Sequence, residues 1–350
     1  MRPTVNDIAR EAGVSLATVD RVLNARPGVR AQTITAVNDA ISKLGYVRDM
    51  AAANLARSRN YRMAVVLPDT ESQFLHTLLA AISHAAALAA TARTEVEIHR
   101  FPAEDMHALA DILARLGAAQ VAGIALMAPE TPIVRDAVRA LKALHIPVVA
   151  LVSDLPNTEA DHFVGIDSRA AGRTAGVLMG RFLGEKPAKV VVLAQSMLLR
   201  ESIERRRGFD EVMQSDFPQV EVLQTLETHG SADTLRQVVT ELVRNTDGLR
   251  GIYLLGSGHR ALAAVLRDLR LLGRLTLIGH ELTPHTRRAL EVGQLDAVIT
   301  QNVGHLARSA LRVLRAKADR GVIDEAQEQL RIEIVIRENL PPDGDDAHSF

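Results

Sequence analysis

The fold class this sequence predicts is an N-terminal all-α helix-turn-helix domain followed by an α/β body of two Rossmann-like lobes. Three observations predict it. Basic charge gathers at the front of the chain: residues 1–62 hold nine Arg and Lys43 against Asp7, Glu11, Asp20, Asp39 and Asp49, while the remainder is net acidic. In that same stretch two helical stripes are separated by only Gly13, Val14 and Ser15. From Arg62 onward, short β-branched runs alternate with helical segments.

In the head, Thr4 caps a helix that carries Val5, Ile8, Ala9 and Ala12 on one stripe, at i, i+3, i+4 and i+7. Gly13 stands where helices end in a left-handed residue, and Ser15 is the N-cap of a second helix with Val19, Val22 and Leu23 inward. After Asn24-Ala25-Arg26-Pro27-Gly28, a third helix places Ile34, Val37, Ile41 and Leu44 on one face and stops at Gly45. Two helices joined by so short a turn and braced by a third make the helix-turn-helix plan.

In the body the strand runs are MAVVLP, VEIHRF, GIALMA, PVVALV and HFVGID, then KVVVLA, GIYLLG, LIGHEL, AVITQN and IEIVI. Continuous apolar strands alternating with helices read as parallel sheets covered on both faces. Ten such runs are more than one doubly wound sheet needs, so two similar lobes are expected. The tail PPDGDDAHSF is turn-forming and acidic, and is expected to be disordered.

Composition bounds the function. A chain of 350 residues that is 47% hydrophobic can bury a large core, and its length suggests two or three domains. No run of 18 apolar residues and no signal-peptide layout at MRPTVNDIAREAG are present, so neither a membrane partner nor export is expected, and a cytoplasmic location is. The absence of cysteine excludes disulfides and thiolate metal sites. A basic head on an acidic body is the asymmetry of a chain whose one end meets a polyanion. With Val19, Val22 and Leu23 inward, the second helix turns Leu16, Ala17 and Arg21 outward. Arg21 suits a guanine edge or a phosphate, and Leu16 and Ala17 suit apolar contacts such as a thymine methyl.

The motifs DIAREAGVS, TVDRVLN, the GV before the third helix, LGY and ANLAR together resemble the LacI/GalR family of bacterial regulators, and the alternating body resembles that family's periplasmic-binding-protein-like effector domain. The likeness covers nearly the whole chain. It implies operator DNA as partner of a homodimer, with contacts from Thr4, Asn6, Ser15, Leu16, Ala17, Thr18, Asp20, Arg21, Asn24, Arg30, Thr33 and Tyr46. It also implies a hinge helix over residues 51–58 that supplies Ala52, Leu55 and Ala56, with Leu55 as a minor-groove wedge. Asp20 replaces the family's usual serine, Arg48 and Asp49 replace its proline and asparagine, and Arg30 replaces a helix-capping serine.

The same resemblance implies an effector cleft that takes a sugar, polyol or related hydroxylated ligand. Ser72, Phe74 and Leu75 fall in the first strand-to-helix loop, and Ser153 and Asp154 follow PVVALV. Arg205 precedes Gly208-Phe209, Ser257 and His259 follow the strand GIYLLG, and Glu281 and Gln301 end the two strands after it. Asp167, ahead of SRAAG, reads as a helix cap. The expected domains are 1–48 for DNA binding, 49–61 for the hinge and 62–340 for the effector. Within the last, one lobe spans 62–160 and 297–322, and the other 161–296 and 323–340.

Two other readings compete. GSGHR lacks both nucleotide-loop spacing and a Walker lysine, and no HExxH or GxSxG occurs, so neither catalysis nor a cofactor nor a metal is expected. A solute-binding transport component fits the body but not the basic head.

Overall fold

The structure is a computed structural model that describes residues 3–23, 27–44 and 60–342. Contacts divide the chain into two compact units, Met1–Arg59 and Asn60–Phe350. Asn24, Tyr46, Ala52, Leu55 and Ala56, and with them most of the expected hinge and tail, lie outside the described residues.

In the first unit, Thr4 precedes helix α1 (Val5–Ala12), and its backbone N–H donates to Asp7 Oδ2 at 2.8 Å. The helix stops at Gly13, whose φ of 65° is the left-handed turn a glycine takes without strain. Ser15 Oγ then accepts the Thr18 N–H at 3.2 Å and opens α2 (Leu16–Leu23). Helix α3 (Ala31–Leu44) packs on both, around Ile8, Ala9, Val19, Val37 and Ala40. One expectation fails here. Ile34 is 40% exposed, because α3 buries the stripe through Val37, Ala40, Ile41 and Leu44 instead. Ala40 is 3% exposed in that core, and the face it belongs to leaves Ile34 outside the contact.

The second unit holds two sheets. The first contains β1 (Tyr61–Asp69), β2 (Thr94–Pro102), β3 (Gly123–Leu126), β4 (Val148–Leu151) and β5 (His162–Val164), all parallel, in the order β2-β1-β3-β4-β5. Both faces are covered. Met63, Val65 and Leu67 of β1 pack with α4 (Gln73–Ala90) and α12 (Val303–Ala318), whereas Ala64 and Val66 pack with α5 (Met106–Ala118) and α6 (Pro132–Ala143). By length and apolar composition α4 could cross a bilayer. In this fold it is a layer of the lobe, held through Leu75, Leu78, Ala81, Ile82 and Ala85.

The second sheet runs β12-β11-β10-β9-β6-β7, with β8 paired to β6. Its strands are β6 (Ala188–Ala194), β7 (Val220–Val222), β8 (Leu226–Glu227), β9 (Leu249–Leu254), β10 (Thr276–His280), β11 (Ala297–Thr300) and an antiparallel β12 (Glu333–Val335). Without β8 and β12 the winding repeats that of the first sheet, each lobe's first strand lying between its second and third. In such sheets the carboxyl ends beside that reversal form the ligand crevice. Helices α7 (Ser168–Leu183) and α8 (Arg200–Asp216) cover one face of this sheet. The other face carries α9 (Ala232–Asn245), α10 (His259–Asp268) and α11 (Pro284–Glu291).

The lobe boundaries differ from expectation. His162–Val164 pairs with β4 in the first sheet and Ala297–Thr300 pairs with β10 in the second, while α12 packs on the first. Strand partners are chosen by contacts far apart in sequence, which the local pattern of these short apolar runs does not record.

Candidate functional site

On the head, α2 presents Leu16, which is 50% exposed, together with exposed Ala17 and Arg21. Asn6 and Arg30 are exposed too, while Thr18, Asp20 and Thr33 are half-buried. Thr4 and Ser15 are engaged in capping: Thr4 Oγ1 donates to Asp7 Oδ2 at 2.7 Å, and Ser15 Oγ lies 2.9 Å from Thr18 Oγ1. The capping fixes the pitch at which α2 leaves the turn, and so the direction of Leu16, Ala17 and Arg21.

In the body, the polar residues expected in the cleft stand at the carboxyl ends of adjacent strands. Arg205 reaches them from α8. It is 3% exposed, and its Nη1 donates to the carbonyl of Leu255, the residue after β9, at 2.6 Å. Its Nη2 lies 3.6 Å from Glu281 Oε1, and Glu281 follows β10. Gln301, 3% exposed, follows β11, whose Ile299 carbonyl accepts the Glu281 N–H at 3.0 Å. Four groups of this cluster are buried without a hydrogen-bond partner: Arg205 Nε, Glu281 Oε2, and both amide atoms of Gln301. Such groups lose about 1–3 kcal/mol each while unpaired. A polar ligand would satisfy them.

Electrostatics follows from the burial. Loss of water pushes the Glu281 carboxyl up to about 7, with the Glu201 charge adding to it and Arg205 opposing. Burial lowers His259 to about 4 and carries His280 well below the ordinary histidine value, with the Arg205 charge helping at His280. Both imidazoles are therefore neutral at pH 7. Tyr253 is hydrogen-bonded to His280 Nε2 at 2.7 Å and stacks on Phe209, bracing the floor beneath Arg205.

The frame that aims Arg205 is made by glycines. A Cβ on Gly172 would lie 2.0 Å from the Arg205 carbonyl oxygen, and one on Gly208 would lie 2.0 Å from that of Arg169. Helices α7 and α8 thus touch backbone to backbone. Residues at two strand ends also hold left-handed backbone, Val152 at φ 62° and Glu281 at φ 70°. Strain of this kind costs about 1–3 kcal/mol per residue and gathers at ligand clamps.

The remaining expected residues divide. Ser153 is 2% exposed, and its Oγ donates to Glu201 Oε2 across the lobes at 2.7 Å. Ser257 Oγ donates to Gln195 Oε1 at 2.8 Å, next to the strand reversal between β6 and β9. Asp154 accepts the Leu155 N–H, and Asp167 caps α7 through the Ala170 N–H. Ser72 is the residue before α4, and Phe74 is half-buried against the core. Leu75 is not a lining residue: it is 3% exposed and packed inside the hydrophobic core, because it falls on the inward stripe of α4. His259 is turned onto β10, donating Nε2–H to the His280 carbonyl at 3.1 Å over Gly279. Sequence reasoning missed Glu201 and Gln195. Glu201 had a signal, since it precedes Arg205 by one helical turn on the same face. Among the described residues no group of three or more His, Asp or Glu converges as metal ligands would.

Comparison with known proteins matches this architecture. Residues 63–321 match the periplasmic binding protein domain, and residues 4–49 match the bacterial regulatory proteins of the lacI family. Catabolite control protein A of Priestia megaterium is 25% identical over 346 residues, 97% of this chain and 99% of that protein. The HTH-type transcriptional regulator RegA of Clostridium saccharobutylicum is 45% identical over 74 residues, 21% of this chain and 22% of its own. Among solved structures, GanP, a glucose-galactose binding protein from Geobacillus stearothermophilus, superposes with a TM-score of 0.72 at 18% identity, covering 81% of this chain and 100% of that one. A lacI-type helix-turn-helix reader in front of a two-lobed binding domain, with a regulator alike from end to end, makes this chain a member of the lacI family of bacterial transcriptional regulators.

Proposed function

We propose that this regulator is a repressor that binds a near-palindromic operator as a homodimer in the cytoplasm and releases or tightens on it when a small sugar, polyol or related hydroxylated compound fills the cleft. The observation that carries the effector half is the cluster of unpartnered buried groups on Arg205, Glu281 and Gln301. Groups that cost folding energy while empty are kept where a ligand pairs them. The DNA half rests on the lacI-type head, with Leu16, Ala17 and Arg21 projecting from α2. One head reads one half-site, so a dimer calls for a two-fold symmetric operator.

The test is selection of bound duplexes from a random library by the full chain, followed by anisotropy titration of the recovered site with and without sugars and polyols. Recovery of a symmetric site whose affinity moves with one of these compounds is the expected result. Recovery of no common sequence, or turnover of the added sugar, overturns the reading.

A further inference from the structure

We propose that Glu201 is a specificity residue of the cleft: with Glu281 it makes the site select an uncharged hydroxylated effector and reject the phosphorylated or carboxylated form of the same compound. The inference rests on the cleft being the effector site. Glu201 stands one turn before Arg205 on α8, so the two side chains leave the same face of the helix. Its Oε2 accepts the Ser153 hydroxyl at 2.7 Å, which places this carboxylate between the lobes. Its charge is felt at Glu281, where it adds to burial in holding that carboxyl up.

Charge then decides what can enter. The positive charge in this group is that of Arg205, already directed to the Leu255 carbonyl and to Glu281. Two acids stand with it: Glu281, whose Oε1 lies 3.6 Å from its Nη2, and Glu201, one turn before it on the same face of α8 and bonded to Ser153. His259 and His280 are neutral and supply no cation. An anion entering here would meet like charge in a place poor in water, where such repulsion is least screened.

Hydrogen-bond character points the same way. The unpartnered atoms are a donor on Arg205, an acceptor on Glu281, and one of each on Gln301. A hydroxyl group donates and accepts, so a polyol satisfies all four. The ionised group of a phosphate or carboxylate only accepts, so where that group stands it leaves Gln301 Oε1 unpaired.

The test is isothermal calorimetry of the full chain with matched probes: D-glucose, D-galactose, D-ribose and xylitol against glucose 6-phosphate, galacturonate and ribose 5-phosphate. A neutral compound is expected to bind the parent at least a hundredfold more tightly than its anionic partner. Glu201→Gln keeps an acceptor for Ser153 and removes the charge, so it is expected to narrow that gap to about tenfold by strengthening the anion. Ser153→Ala, which removes the bridge but keeps the charge, is expected to weaken both members alike. Equal binding of neutral and anionic partners by the parent overturns the proposal, and so does a Glu201→Gln variant that weakens both equally. Tight binding of an anion alone sinks this inference and leaves the sensor reading standing. If no probe of either class binds, the sensor reading itself falls, and this inference with it.

Discussion

The outward face of α2 and the buried polar cluster around Arg205 are built in opposite ways. Leu16, Ala17 and Arg21 are exposed, so water serves them while DNA is absent. Arg205, Glu281 and Gln301 carry buried atoms that nothing serves. The first surface costs the fold almost nothing to keep, whereas the second is a standing strain on it. Substitutions should therefore act on binding alone at the outward face of α2, and on binding and stability together in the cluster around Arg205.

The largest effect that can test this contrast is Gly172→Ala. Its methyl would meet the main-chain oxygen of Arg205, which cannot rotate away, so the α7–α8 contact must part. We expect a loss of about 3 kcal/mol in stability, with effector binding abolished, by denaturant titration and calorimetry. A variant as stable as the parent would show that the helix pair is soft and the cleft frame is not what aims Arg205.

Next comes pH. Glu281 is raised to about 7 from 4.5, so between those values the folded chain keeps a proton that the unfolded chain has released. The stability this group confers is full below about pH 4.5, falls as pH rises through the window, and levels off above about 7. Glu281→Gln removes that component. Its stability relative to the parent should climb by up to about 3 kcal/mol from pH 4.5 to 7 and then stay flat. A constant difference would mean that Glu281 titrates as an ordinary surface carboxylate.

Arg205→Ala should reduce effector affinity by roughly ten- to a hundredfold, about 1.5–3 kcal/mol, through loss of a charge-assisted bond. Its melting point should also shift, because Glu281 loses its partner in a buried place. In the head, Arg21→Ala should weaken operator binding by about 1–3 kcal/mol while fold stability moves by less than about 0.5 kcal/mol. A melting shift as large as that of Arg205→Ala would erase the contrast. The smallest effect is Ser15→Ala, about 1 kcal/mol of head stability through the lost cap on α2, read by hydrogen exchange in that helix.

The head and the strands were legible because each depends on neighbours in sequence. Thr4, Gly13 and Ser15 announce helix ends by local chemistry, and each of the ten apolar runs became a strand. Val220–Val222 and Leu226–Glu227 escaped notice, being too short to show any period. Ile34 was misjudged because either of two faces of α3 could look apolar, and the packing of α1 and α2 decides between them. The sheet membership of Ala297–Thr300 and the bridge from Ser153 to Glu201 join residues far apart along the chain, which periodicity cannot report. Arg205, Glu281 and Gln301 were found through likeness to a family. That likeness named their positions, but not that Glu281 would be held near neutrality or that a second carboxylate stood beside it.

The glycine contact between α7 and α8 also bears on how such a sensor can change over generations. With main chain resting on main chain at Gly172 and Gly208, that contact tolerates almost no substitution, while Glu201, Ser153 and Ser257 meet their partners through side chains alone. New effectors are therefore reached by exchanging those few side chains on a frame that stays as it is. A lineage built on this plan can explore ligands one residue at a time without first re-solving its fold.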